Sequence, residues 1–160
     1  QSMFDYVILD SGQSLDDNTK AILRMSDLTM LVFIASLPCL INLKRILDTF
    51  HGLGYPADDS VEIVANRSLK SAEISQKEIE SSLKKKVYFT FPNDYRNTMS
   101  SINQGKPLTA IDGKSEICQK FNEFASLVAE REKRESKVKE LPQAIKRGKL
   151  SLFVNNLFKS

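Results

Sequence analysis

Two spacings of apolar residues alternate along the chain. Short continuous apolar runs occupy residues 6–9 (YVIL), 28–35 (LTMLVFIA), 61–65 (VEIVA) and 87–91 (VYFTF). They have strand length and are rich in β-branched and aromatic side chains, the pattern of strands buried on both faces. Between them the apolar positions shift to the helical period. Leu40, Leu43, Ile46, Leu47 and Phe50 follow the i, i+3, i+4, i+7 spacing of a helix lying against a sheet. Leu15, Ile22 and Leu23 mark a helix ending near Met25, opened by Ser14-Leu15-Asp16-Asp17 as a variant capping box. Ile79 and Leu83 mark one at about residues 75–84, and another is predicted over residues 94–104. The last, over residues 115–134, carries Ile117, Phe121, Phe124, Ala125 and Val128 on one face. Gly52, Gly54 and Pro56, then Gly105 and Pro107, supply the stops. Four strands alternating with helices predict an α/β fold of three layers, a mostly parallel sheet with flanking helices.

Right-handed crossovers bring the carboxyl ends of such strands to one rim, outside which ligands of open α/β sheets gather. Asp10, Asn66, Arg67, Pro92 and Asp94 all fall at or just beyond strand ends and are expected there. Each also has a plainer reading. Asp10 can open a turn, and Asn66 and Asp94 can cap a turn or a helix.

Composition changes this picture little. The 160 residues suffice for one domain, and 41% hydrophobic with 27% charged residues is ordinary for a globular chain. A net charge of +3 does not argue for nucleic acid, and Lys84, Lys85 and Lys86 without interleaved aromatics read as solvated surface. Cys39 and Cys118 lack metal-like spacing and read as buried free thiols in a reducing compartment. The most apolar window, residues 28–43, is short of the roughly twenty residues of a membrane span and contains Pro38. His51, the single histidine, stands at a helix end where the dipole favours a cation. Gln1 and Ser2 before Met3 resemble an expression-tag remnant.

Taken together, FDYVILD with SLDDNT, the strand after Asp27, LINLKRILD, IVANR and FPNDYRNTMSSINQGKPL resemble the second half of the MinD/ParA family of deviant P-loop ATPases. The likeness is greatest to the CpaE/TadZ pilus-assembly branch. The resemblance implies a role for Asp10 as the Walker B acid, catalytic and holding Mg²⁺ beside the γ-phosphate of ATP directly or through water. It implies that Ser11, Gly12, Gln13 and Ser14 form the switch segment, here with Gly12-Gln13 where many relatives carry prolines. Asn66 then matches the adenine-contacting amide, with Arg67 beside it, and Pro92 and Asp94 match the loop closing the base pocket. A homodimer or a domain-swapped partner, pilus or secretion assembly proteins, and a bacterial location in the cytoplasm or peripheral at the inner membrane or a cell pole are implied in the same way.

One part of that pattern is missing from these residues: no G-x-x-x-x-G-K-[ST] loop occurs, and Gly52, Gly54 and Gly105 follow helices rather than strands. In relatives the P-loop and its central strand come before the position of Phe4. The chain is therefore expected to be the carboxyl-terminal part of a longer ATPase, inactive alone, or else a non-catalytic interaction module that retains the fold. Without that strand, a gap beside residues 6–9 is expected to need another chain, a swapped segment or direct strand pairing.

Residues 1–134 form the expected domain and residues 135–160 a charged extension and tail. Leu150, Phe153, Val154, Leu157 and Phe158 make one apolar stripe beside Lys146, Arg147, Lys149 and Lys159. That is the form of an interfacial membrane helix, similar in kind to the membrane-targeting helix of MinD proteins. A terminal helix docked on protein is the reading taken ahead of it.

Overall fold

A computed structural model of the chain describes residues 3–12, 14–69 and 71–139, with side chains as far as residue 133. The central feature is a parallel sheet of three strands, β1 (Thr29–Ile34), β2 (Val61–Ser68) and β3 (Val87–Pro92), in that spatial order. Thr29 lies beside Val61 and Ile34 beside Asn66 in one ladder, while Val64 lies beside Phe89 and Ser68 beside Pro92 in the other.

Helices α1 (Asp17–Met25), α2 (Leu37–Leu53) and α3 (Gln76–Leu83) supply one layer. Leu23 of α1, Leu40, Leu43, Leu47 and Phe50 of α2, and Ile79 and Leu83 of α3 join Phe33, Val61, Ile63 and Ala65 of the sheet in one buried cluster. Val64, one position out of phase with Ile63, faces the opposite side and is 2% exposed. There α6 (Glu116–Lys139) packs on β3 through an aromatic group. Phe91 lies 4.5 Å from Phe121 and 5.2 Å from Phe124 between ring centroids, and Phe89 lies 5.1 Å from Phe124. Two short helices, α4 (Tyr95–Gln104) and α5 (Leu108–Asp112), connect β3 to α6. The α/β architecture with a parallel sheet between helical layers is the one the periodicities predict.

Helix ends follow local chemistry. Asp16, not Ser14, caps α1 by accepting from the Thr19 amide at 2.8 Å, while the Ser14 hydroxyl donates to Asp16. Those Thr19 hydrogen bonds, first among their causes, hold the Asp16 carboxyl below the usual range. Ser75 and Glu78 form a full capping box on α3. Gly54 and Gly105 end α2 and α4 in the left-handed region at φ 71° and 60°, where a side chain would be strained. Cys118 is buried, as expected, whereas Cys39, expected to be buried too, is only partly so because it lies at the start of α2.

Residues 6–9 overturn an expectation. The run was expected to be a fourth strand buried on both faces; it joins no ladder among the described residues. Val7 is 72% and Ile8 92% exposed. A strand apolar on both faces needs hydrogen-bonding neighbours at its edges and a layer above and below, and the described residues offer this run neither.

The amino-terminal rim is tied by charge. Lys85 donates to the backbone carbonyl and the carboxylate of Asp58, at 2.8 and 3.3 Å, and His51 at the end of α2 lies 3.5 Å from the same carboxylate. Lys85 is thus a structural residue within the lysine cluster. Across the sheet Arg131 of α6 pairs with Glu62 and donates to the Asp59 carbonyl.

Ile63, fully buried in the central strand, is expected to lose about 2–5 kcal/mol on Ile63→Ala in urea unfolding. Val32→Ala, at a position 62% exposed, is expected to stay within about 0.5 kcal/mol. Lys85, and then His51, hold the Asp58 carboxyl below its usual range. A depressed acid contributes stability above its unfolded pKa, near 4, and loses it as pH falls through the folded value. Asp58→Asn is therefore expected to flatten the stability–pH curve below about pH 4, by a small amount because the group is largely exposed.

Candidate functional site

The carboxyl-terminal rim is built where β2 and β3 end. Ala65 closes the buried part of β2, and the ladder to β3 shifts between Ala65 and Ser68. Arg67 occupies that irregularity at φ 53°, a left-handed conformation that costs a non-glycine residue about 1–2 kcal/mol. Its amide donates to the Asn66 side-chain oxygen at 2.9 Å. The Asn66 side-chain amide nitrogen has no hydrogen-bond partner among the described residues. The extra residue leaves Arg67 exposed, while Asn66 stays half-buried.

The next strand closes the rim. Pro92 aligns with Ser68, and the Asn93 amide donates to the Ser68 carbonyl at 3.0 Å. This bond carries β2–β3 pairing one step past the strand and fixes the loop against the Asn66–Arg67 bulge. Asp94 follows at the amino terminus of α4. One carboxylate oxygen accepts from the Asn97 amide at 3.0 Å and the other from the Asn97 side chain at 2.8 Å. The carboxylate is therefore occupied as a helix cap, the plainer of its two readings.

The pairing thus brings Asn66, Arg67, Pro92 and Asp94 onto one rim, with Ile34 of β1 at its other side. Asp10 is not joined to them by any ladder. It lies at the end of the unpaired run, exposed, with no hydrogen bond or ion pair to a described residue. The expectation that all four strand ends share the rim is corrected to three, for the reason that keeps residues 6–9 out of the sheet. Ser11, Gly12 and Ser14 are also exposed; Gln13 lies outside the described residues, as do Leu150, Phe153, Val154, Leu157 and Phe158.

Fit to a nucleotide differs between its two ends. Asn66, with free amide donors beside a proline-bounded loop, suits the edge of a purine base. The phosphate end is not provided for: no group of three acidic, histidine or cysteine side chains able to hold a metal occurs among the described residues. A single exposed carboxylate, Asp10, leaves most of a Mg²⁺ shell to water and phosphate. A surface depression of about 570 Å³ lies elsewhere, along α6 between Gln119 and Glu130, and is lined by that helix alone. It brings no groups together from separate elements and suggests no chemistry. Asn93 and the left-handed Arg67 are what sequence reading under-weighted; the bulge has no local signature, since arginine is not a residue that marks a positive φ.

Asp94→Ala is expected to cost about 1 kcal/mol of stability through the lost cap of α4. Asp94→Asn is expected to stay within about 0.5 kcal/mol, because asparagine caps as well as aspartate. Urea midpoints of the two variants check this.

No protein-family model matches the chain, and no curated protein does. Solved structures do. A ParA family ATPase from Chlorobium tepidum TLS superposes with a TM-score of 0.65 at 22% identity, over 70% of this chain and 46% of that one. The MinD cell division protein of Aquifex aeolicus superposes with a TM-score of 0.55 at 15% identity, alone and in its complex with MinC. Those matches cover 66% of this chain and 45% and 44% of the MinD chains. The chain spans a little under half the length of these neighbours. At such identities the likeness speaks to architecture, and the chain has the fold of the ParA and MinD ATPases.

Proposed function

We propose that this chain is the nucleotide-responsive part of a ParA/MinD-like ATPase of the CpaE/TadZ kind, acting in pilus or secretion-machine assembly or polar localisation. The observation that supports it is the rim itself: Asn66 on a bulged strand end, with the Pro92–Asn93 loop tied to the same strand at Ser68, in a fold shared with a ParA family ATPase. In this reading Asn66 reads the adenine edge, Arg67 lies beside it, and Pro92 with the capped Asp94 shapes the loop under the base. Asp10 is the acid directed to Mg²⁺ and the switch segment 11–14 follows it.

ATP, when bound, would supply the γ-phosphoryl group whose loss such a switch reports. The residues present do not make a phosphate cradle, so no hydrolytic step is assigned to this chain. A second reading, a non-catalytic interaction module that keeps the fold and its docking surfaces, rests on the same architecture. The Aquifex aeolicus MinD was solved bound to MinC, and this chain would likewise work through protein partners. Among the described residues no helix is long and apolar enough to cross a membrane.

Isothermal titration separates the readings. Adenosine and Mg²⁺–ATP are expected to bind weakly, with Kd near millimolar, about −4 kcal/mol, because only base contacts are available. Guanosine is expected to bind less well, and Asn66→Ala to abolish the preference. No turnover of ATP is expected. Equal binding of both nucleosides, or binding untouched by Asn66→Ala, sinks the nucleotide reading. Turnover lost in Asp10→Ala would show that the chain hydrolyses ATP after all.

A further inference from the structure

Arg67 is held in its left-handed conformation from both sides. Asn66 pairs with Ile34 in the ladder to β1. Ser68 pairs with Pro92 in the ladder to β3, and its carbonyl accepts the Asn93 amide at 3.0 Å. The one residue between these anchors absorbs the register shift, at φ 53°. Glycine and asparagine favour that region and arginine does not, so the two ladders impose it. In this conformation the Arg67 main-chain N–H donates to the Asn66 side-chain oxygen at 2.9 Å. That bond settles which way the Asn66 amide points. A main-chain N–H only donates, so the end of the amide that faces it is the oxygen; the NH₂ end there would set donor against donor. The nitrogen with its two hydrogens takes the opposite end. One of the two oxygen lone pairs is used, which leaves one acceptor position and two donors in a fixed plane.

We infer that Arg67 is a positioning residue: its main-chain N–H, not its guanidinium, locks the Asn66 amide in the orientation that reads a purine edge. An edge that sets an acceptor ring nitrogen beside an exocyclic amine matches the donors and the acceptor left on that amide. An unlocked asparagine gives up the rotation of its side chain when a ligand binds, whereas here the backbone has fixed it beforehand. The identity of the ligand rests on the nucleotide reading of the rim; the lock itself belongs to the free chain. Arg67 is exposed, so its side chain can be exchanged without touching the core.

Two measurements on the 160-residue chain keep the lock and the ligand apart. Amide hydrogen exchange of the free protein, read by NMR, reports the lock. The Arg67 amide is expected to exchange about tenfold more slowly in the wild type than in Asn66→Ala, the effect of one hydrogen bond. It is expected to stay protected in Asn66→Asp, whose carboxylate accepts the same bond. Chemical-shift titration with adenosine and guanosine reports the ligand. Arg67→Gly, which adopts a positive φ without strain, is expected to keep adenosine affinity within about twofold. Arg67→Val, whose branched Cβ disfavours that region, is expected to lose the protection and about 2–10-fold in adenosine affinity, the effect of ordering one side chain in advance. In an Asn66→Ala background the same Arg67→Val change is expected to cost nothing further. Asn66→Asp, still locked, is expected to lose the preference for adenosine because it has no donor. An Arg67 amide that exchanges as fast in the wild type as in Asn66→Ala overturns the inference. So does adenosine affinity lost equally in Arg67→Gly and Arg67→Val, which assigns the contact to the guanidinium, and so does an Arg67→Val variant that loses the protection yet binds adenosine as before. A protected amide in a chain that binds neither nucleoside supports the lock and overturns the nucleotide reading alone.

Discussion

The rest of the structure depends on β2 being paired on both edges and covered on both faces. Val61, Ile63, Val64 and Ala65 are each at most 6% exposed. That is possible only because parallel ladders to β1 and β3 satisfy the backbone while helices cover the side chains above and below. A strand so enclosed has one direction and one register. Its carboxyl end, where Asn66 and Arg67 leave the sheet, is therefore placed by the core and not by the loop that follows.

The two rims of the sheet serve different ends. At the amino-terminal rim, charges hold elements together: Asp58 with Lys85 and His51, Glu62 with Arg131. At the carboxyl-terminal rim the polar groups are held but not exhausted. Asp94 is used up as a cap, and the Ser68–Asn93 bond fixes the loop. The Asn66 amide nitrogen has no partner among the described residues, and Arg67 is exposed. The backbone of Arg67 is the one costly conformation there, and strain of that kind persists where the surrounding structure over-determines it. Here the continued β2–β3 pairing past the bulge does so.

β1 has the opposite problem from β2. Phe33 is 6% exposed against the α2 side, whereas Val32 and Ile34 on the other face meet no layer among the described residues. The same chemistry that buries one strand leaves its neighbour half finished. Residues 6–9 share that condition, since their composition suits an interior yet they are exposed among the described residues.

How much of this was legible in advance depends on the range over which each feature is decided. Helix and strand periods are local, so β1, β2, β3, α2 and α3 with Ile79 and Leu83 inward could be read from spacing alone, and the architecture followed. The polar residues beyond strand ends could be read too, because crossover handedness sends parallel strand ends to one rim whatever the side chains. Three matters were not local. Whether YVIL is a strand depends on neighbours, not on its own composition. Whether Asp94 reads a ligand or caps a helix depends on Asn97 folding back onto it. The bulge at Arg67 arises from a register shift between two strands, which neither strand encodes separately. Period and propensity are properties of a segment; pairing and burial belong to the surfaces that meet it, and only the assembled tertiary structure could decide them.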